Sequence, residues 1–191
     1  GSYYYPFKRN KTKSKRTLSA SDVPDFDTAK KDSYLTDLLA EEASKFIEIK
    51  RDVPFLLMLA HYSVHTPIQA RENDVLKYKD RMKDIGLSSK VSIKNERYGS
   101  TRMTQNNPDY AAMVESVDRS VGKVLGKLEE LKLNDNTLVI FTSDNGGLST
   151  LQHNRRAAPT SCLPLRAGKG WLYEGGIRVP AILAWPGIIN K

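Results

Sequence analysis

Thr137-Leu138-Val139-Ile140-Phe141-Thr142 runs straight into Ser143-Asp144-Asn145-Gly146-Gly147. The change from strand-forming residues to a polar bend closed by two glycines decides how the chain is read. A short apolar run without polar alternation is the pattern of a strand buried on both faces. Two other stretches share it. Phe55-Leu56-Leu57-Met58-Leu59-Ala60 follows Pro54 and stops at His61-Tyr62-Ser63-Val64-His65-Thr66-Pro67, and Val179-Pro180-Ala181-Ile182-Leu183-Ala184-Trp185 is closed by Pro186-Gly187. Working outward, Leu35, Leu38, Leu39, Ala43, Phe46, Ile47 and Ile49 recur close to helical spacing between about Tyr34 and Lys50, with Asp32 or Ser33 placed to cap the start. Pro108 opens a longer helix whose apolar stripe, Tyr110, Met113, Val114, Val117, Val121, Val124, Leu125, Leu128 and Leu131, runs to the turn Asn134-Asp135-Asn136. Residues 68–107 are polar and weakly patterned, an excursion with one short helix expected around Asp74 to Asp84.

Helices alternating with all-apolar strands predict an α/β domain built on a mostly parallel sheet with helices on both faces. In such sheets the carboxyl ends of strands are the natural place for a site. His61 to His65 and Asp144 to Asn145 stand at such ends.

At 191 residues the chain is long enough for one domain, and no apolar run reaches the roughly 18–20 residues of a membrane span. Gly1-Ser2-Tyr3 begins no secretory signal and resembles the remnant of a cleaved tag, so the chain reads as a piece of a longer protein. The net charge of +8, from 30 Lys and Arg against 22 Asp and Glu, is concentrated in Lys8, Arg9, Lys11, Lys13, Lys15 and Arg16, within a basic, loop-like arm over residues 1–31. Aromatic residues do not interleave with these charges, so a stacking platform for nucleic acid is not expected. Tyr3, Tyr4, Tyr5 and Phe7 lie just ahead of them and favour docking onto something. Cys162 is the only cysteine, which excludes an internal disulfide.

Asp144 and Asn145 offer a carboxylate and an amide oxygen side by side, hard donors suited to calcium or magnesium; an Asx turn before a glycine bend uses the same residues. His65 stands where a histidine can pass a proton to a leaving oxygen, or serve only as a hydrogen-bonded support. His61 sits nearer the apolar run, and nothing in the sequence decides the role of His153. Lys169 lies between Gly168 and Gly170, small neighbours that leave its ammonium free to meet sulfate or phosphate.

Four strings together resemble the sulfatase family of the alkaline phosphatase superfamily. They are P-F-L-L-M-L-A-H-Y-S-V-H-T-P from Pro54, Y-A-A-M-V-E-S-V-D-R-S-V-G-K-V-L from Tyr110, S-D-N-G-G from Ser143, and P-L-R-A-G-K-G-W-L-Y-E-G-G-I-R-V-P from Pro164. They follow family order from about Tyr34 onward. The resemblance implies an alkaline-phosphatase-like fold, incomplete here, with Asp144 and Asn145 as calcium ligands, Lys169 as the sulfate-binding lysine, and His65 contacting the sulfate and protonating the leaving group. Arg178 and Glu174 are read as supports of the lysine loop. The implied substrate is a sulfated small molecule or carbohydrate, and the implied location of the whole protein is periplasmic or secreted.

The same resemblance marks what this chain lacks. Family members carry earlier in the chain a pair of aspartates that completes the calcium site and a C-x-P-S-R motif whose cysteine or serine becomes the formylglycine nucleophile. The partner expected for this chain is therefore the missing N-terminal segment of the same enzyme, and the chain alone is expected to be inactive. Cys162-Leu163-Pro164-Leu165-Arg166 reads as C-x-P-x-R, but it follows S-D-N-G-G and overlaps the lysine segment, so Cys162 is read as an ordinary loop cysteine. A phosphodiester or phosphonate hydrolase of the same superfamily and a non-catalytic polyanion-binding module are the competing readings.

Overall fold

The computed structural model describes residues 2–5, 7, 26, 29–153 and 157–189. The basic run from Lys8 to Arg16 lies outside the described residues. The chain divides into two compact units, Gly1–Asp74 with Ala112–Leu133, and Val75–Ala111 with Asn134–Lys191.

The first unit contains helix α1, Leu35–Lys50, and most of helix α3, Pro108–Glu130. α1 turns Ala40, Ala43, Ser44 and Ile47 inward, and Lys123 and Lys127 of α3 form ion pairs with Glu41 and Glu48 at 3.3 and 3.8 Å. α3 buries Ala112, Met113, Ser116, Ser120 and Leu128, whereas Val114 and Leu125 of the expected apolar stripe are exposed. The buried hydroxyl of Ser116 is satisfied within the helix by the Ala112 carbonyl at 3.0 Å, so it is buried at little cost. Tyr3 and Phe7 pack with Tyr34, Leu35 and Met113 in one core cluster. The aromatic residues read from sequence as a docking element are thus filled into the chain's own interior.

Phe55–Ala60 joins no sheet among the described residues. Along it Phe55, Leu57 and Leu59 are half-buried, while Leu56 and Met58 are 92% and 85% exposed. This alternation of period two is that of a strand covered on one side only.

The second unit holds helix α2, Glu72–Asp84, from its fourth residue on, and two antiparallel sheets. Strands β1, Ile93–Glu96, and β2, Gly99–Arg102, form a hairpin with Glu96 opposite Gly99, and β4, Thr150–Leu151, adds to β2. Strands β3, Val139–Thr142, and β5, Ala181–Ala184, pair with Val139 opposite Ala184 and Thr142 opposite Ala181. A short helix, α4, Glu174–Ile177, lies between β4 and β5. The α/β class holds, but the expected parallel pairing does not appear among the described strands. An all-apolar run reports burial and says nothing of its neighbour's direction, which the connection sets. The two-sided burial expected of β3 and β5 is not met either: Ile140 and Ile182 are 60% and 58% exposed. The β1–β2 hairpin went unread because its strands, Ile-Lys-Asn-Glu and Gly-Ser-Thr-Arg, carry no apolar alternation.

Candidate functional site

Within the second unit, β3 delivers the Ser143–Gly147 bend, and the Thr142 hydroxyl donates to the Pro180 carbonyl at 3.0 Å, pinning the strand end beside β5. The Ser143 hydroxyl closes the bend onto Asn145 O at 2.9 Å. The Asn145 side-chain nitrogen donates to Gly146 O at 3.1 Å, and among the described residues Oδ1 accepts no hydrogen bond. Asp144 is exposed, and among the described residues its carboxylate is engaged in no hydrogen bond or ion pair.

The glycines explain how this bend meets the lysine loop. Gly147 O accepts from the Lys169 amide at 2.9 Å, from Ser149 N at 2.9 Å and from the Cys162 thiol at 3.4 Å. Gly146 N donates to Gly176 O at 3.0 Å, and Gly175 N donates to Arg166 O at 2.8 Å. Three backbones are therefore in direct contact. A Cβ on Gly146 would fall onto the Gly175 carbonyl, one on Gly168 onto Gly147 O and the Ser149 hydroxyl, and one on Gly175 onto the carbonyls of Arg166 and Ala167. Only glycine permits such approach.

Lys169 lies two residues after Ala167, held at φ 60°, and directly before Gly170 at φ 85°. The Ser149 hydroxyl grips Ala167 O at 2.6 Å, which helps hold a non-glycine residue in the left-handed region. Half-buried Lys169 pairs with no carboxylate among the described residues. Arg166 is committed elsewhere, stacked 3.9 Å from the Tyr173 ring centroid and paired with Glu96 at 3.1 Å. Glu174 and Arg178 pair at 3.5 Å on the surface, where such a pair contributes little.

His65 belongs to the first unit. Its Nδ1 lies 3.0 Å from Thr66 O, and since a carbonyl only accepts, this contact places hydrogen on Nδ1 and leaves Nε2 as the acceptor nitrogen. The loop bearing it is racked by tyrosines. The Tyr3 hydroxyl lies 2.5 Å from Tyr62 O and 2.9 Å from His65 O, Tyr34 donates to Gln69 O at 2.8 Å, and Tyr4 donates to Ala70 O at 2.8 Å. Burial pushes the Tyr3 and Tyr34 phenols up, which keeps them neutral donors. His61 is a different case. Its Nε2 meets the Ser120 hydroxyl at 3.2 Å, and burial holds its pKa below the ordinary histidine value. His153 contacts the Ser100 hydroxyl at 3.1 Å.

The second unit thus brings the Asp144-Asn145 bend and the Lys169 loop onto one carbonyl. The oxygen donors of Asp144 and Asn145 suit a hard cation, though they are two where calcium takes about six to eight. Among the described residues no group of three His, Cys, Asp or Glu side chains is arranged to hold a metal. Sequence reasoning had no signal for Arg102, buried at the end of β2, or for the tyrosine rack.

The family model for sulfatases matches residues 2–191. The chain belongs to the sulfatase family. This sulfatase chain is 37% identical over 167 residues to a sulfatase of Formosa agariphila, covering 82% of this chain and 26% of that protein. It is 34% identical to steryl-sulfatase of Homo sapiens, covering 82% of this chain and 22% of the relative. Among solved structures it is similar to Ps i-CgsB bound to k-i-k-neocarrahexaose, with a TM-score of 0.62 and 36% identity over 83% of this chain and 29% of that one. The alkaline-phosphatase-like fold expected from the sequence is that of these relatives. The chain spans about a quarter of their length. No helix among its described residues is long and apolar enough to cross a membrane.

Proposed function

We propose that this chain is the part of a sulfate-ester hydrolase that grips the sulfate and serves the leaving group. The observation that carries the reading is the shared Gly147 carbonyl, which ties the loop of an unpaired lysine to the bend bearing Asp144 and Asn145. In this reading the Lys169 ammonium binds a sulfate oxygen and offsets charge that grows as the ester bond breaks. His65, with hydrogen already on Nδ1, takes a second proton on Nε2 and passes it to the departing alkoxide. Asp144 and the Asn145 amide oxygen hold calcium together with ligands outside this chain, and the bound ion adds positive charge against the sulfate.

The nucleophile belongs to the preceding segment of the same enzyme. That segment also covers the exposed apolar side chains of Leu56, Met58, Ile140 and Ile182. The substrate class is a sulfated carbohydrate, a reading supported by the saccharide held by the similar solved structure. Such polymers lie outside the cytoplasm, which makes the protein periplasmic or secreted.

The test is Lys169→Ala in the whole enzyme. Losing one electrostatic stabiliser of this kind costs about 10²–10³ in turnover, roughly 3–4 kcal/mol. Because the lysine fills no core cavity, the melting temperature is expected to move by no more than about 1–2 °C. Near-normal turnover with a large fall in melting temperature would make the lysine structural. Faster hydrolysis of a phosphodiester than of the matching sulfate ester would replace the reaction class.

A further inference from the structure

Arg102 ends β2 with only 7% of its surface exposed. Its Nε donates to Thr104 O at 2.9 Å, Nη1 to Ala158 O at 2.9 Å and Nη2 to Asn106 Oδ1 at 2.5 Å. Asn106 is itself held by Ser88 O and Lys90 O at 2.8 and 3.0 Å, so the guanidinium sits on a fixed floor. These partners are all neutral. Among the described residues no carboxylate pairs with Arg102, although Lys94 and Arg166 nearby in sequence and sheet both find Glu96. A buried cation without a counter-charge is costly, and burial does work against its charged form. Three of its five N–H bonds are used by these contacts, so two are left over.

Arg102 is one of the residues lining a cleft of about 110 Å³ bordered also by Ile93, Ser100, Leu151, Gln152 and Ala158. Gln152 adds an amide, the Ser100 hydroxyl is already engaged by Asn95 Oδ1 at 2.9 Å and His153 Nδ1 at 3.1 Å, and Ile93 and Leu151 are apolar. The mixture matches a ring carrying one oxyanion. The cleft is also wired to the lysine loop: Arg102 N donates to Ser149 O at 2.8 Å, and the Ser149 hydroxyl donates to Ala167 O, two residues before Lys169.

We propose that the cleft lined by β1, β2, β4 and Ala158 is a second oxyanion subsite, in which Arg102 takes a sulfate or carboxylate borne by a sugar unit beside the one being desulfated. The proposal rests on the reading of the substrate as a sulfated carbohydrate. It assigns to Arg102 the choice among polymers by the charge pattern of neighbouring units, while Lys169 acts on the ester that is cleaved. Arginine suits this task, since its planar fork matches an oxyanion through paired hydrogen bonds.

The experiment titrates the 191-residue chain with sodium sulfate, and separately with sodium acetate, at constant ionic strength maintained with chloride. It follows the Arg102 Nε–H and the Ser100 and Gln152 amides by NMR. Saturable shifts at these three positions are expected, and they are expected to persist in Lys169→Ala. Arg102→Lys endangers the fold because three hydrogen bonds depend on the guanidinium, so the decisive variant is Gln152→Glu. This exposed, nearly isosteric change sets a carboxylate beside Arg102 and is expected to weaken anion binding about tenfold or more. Tighter binding of sulfate than acetate points to a sulfated neighbour, and the reverse to a uronate. Absence of saturable shifts, or shifts unaltered by Gln152→Glu, would make Arg102 a structural strut only. Shifts lost in Lys169→Ala but kept in Gln152→Glu would place all anion binding at the lysine loop, overturning this subsite while supporting the role of Lys169.

Discussion

Gly146→Ala tests whether the three-backbone contact holds the site together. The added Cβ would land on the Gly175 carbonyl, with the carbonyl carbon at 2.8 Å and Gly176 Cα at 3.2 Å, so main chain rather than a movable side chain must give way. Overpacking of this kind costs about 1–3 kcal/mol. Parting the loops also loses the Gly146 N to Gly176 O bond of 3.0 Å, about 1 kcal/mol more. The sum is about 2–4 kcal/mol, and at roughly 2–4 °C per kcal/mol for a chain of this size the melting temperature should fall by about 4–16 °C. Gly122→Ala in α3 is the control. Its Cβ meets nothing within 4 Å, and replacing a helical glycine with alanine should stabilise by about 0.5–1 kcal/mol, a rise of about 1–4 °C. Thermal melts of both variants beside the parent chain, followed by circular dichroism, read the contrast directly. If Gly146→Ala melted within 1–2 °C of the parent, the loops would not be in contact as described, and the link between the Asp144 bend and Lys169 would fail with them.

Tyr3→Phe removes the hydroxyl that bonds Tyr62 O and His65 O, and is expected to cost about 1–2 kcal/mol and to speed amide exchange at His65; unchanged exchange there would refute the rack. His61 is held neutral by burial, so its folded pKa lies below the unfolded value of 6.5. The unfolded chain therefore binds the extra proton first, and stability is full above about pH 6.5 and is lost as the pH falls from there through the folded pKa. His61→Gln should flatten that acid limb in melts taken between about pH 7 and pH 5, and an unaltered pH slope would assign the loss to other groups. The 191-residue chain, lacking the nucleophile, should show no turnover of an aryl sulfate; turnover abolished by Cys162→Ala would make Cys162 the nucleophile after all.

The sequence by itself determined what local chemistry can specify. Helical periodicity placed α1 and α3 within a few residues of their ends, and Pro54, Pro108 and the Asn134–Asn136 turn marked their limits. The motifs pointed to the family, because a histidine, hard donors and a glycine-flanked lysine in that order are each short and local. What sequence left open are the relations between distant segments. Parallel pairing was expected of β3 and β5 because apolar runs signal burial alone, whereas strand direction depends on how the chain returns. The inner face of α3 keeps Met113 and Leu128 of the expected stripe but is completed by Ala112, Ser116 and Ser120 rather than by Val114 and Leu125, since a helix is buried where neighbours lie and small residues admit them. Tyr3 was legible only as a docking aromatic and Arg102 gave no signal, for the hydroxyl and guanidinium gain their meaning only from carbonyls that folding sets within hydrogen-bond reach. Gly146, Gly168 and Gly175 could be read as turn residues from sequence. Tertiary structure showed the stronger reason: each lies where another backbone occupies the space a side chain would need.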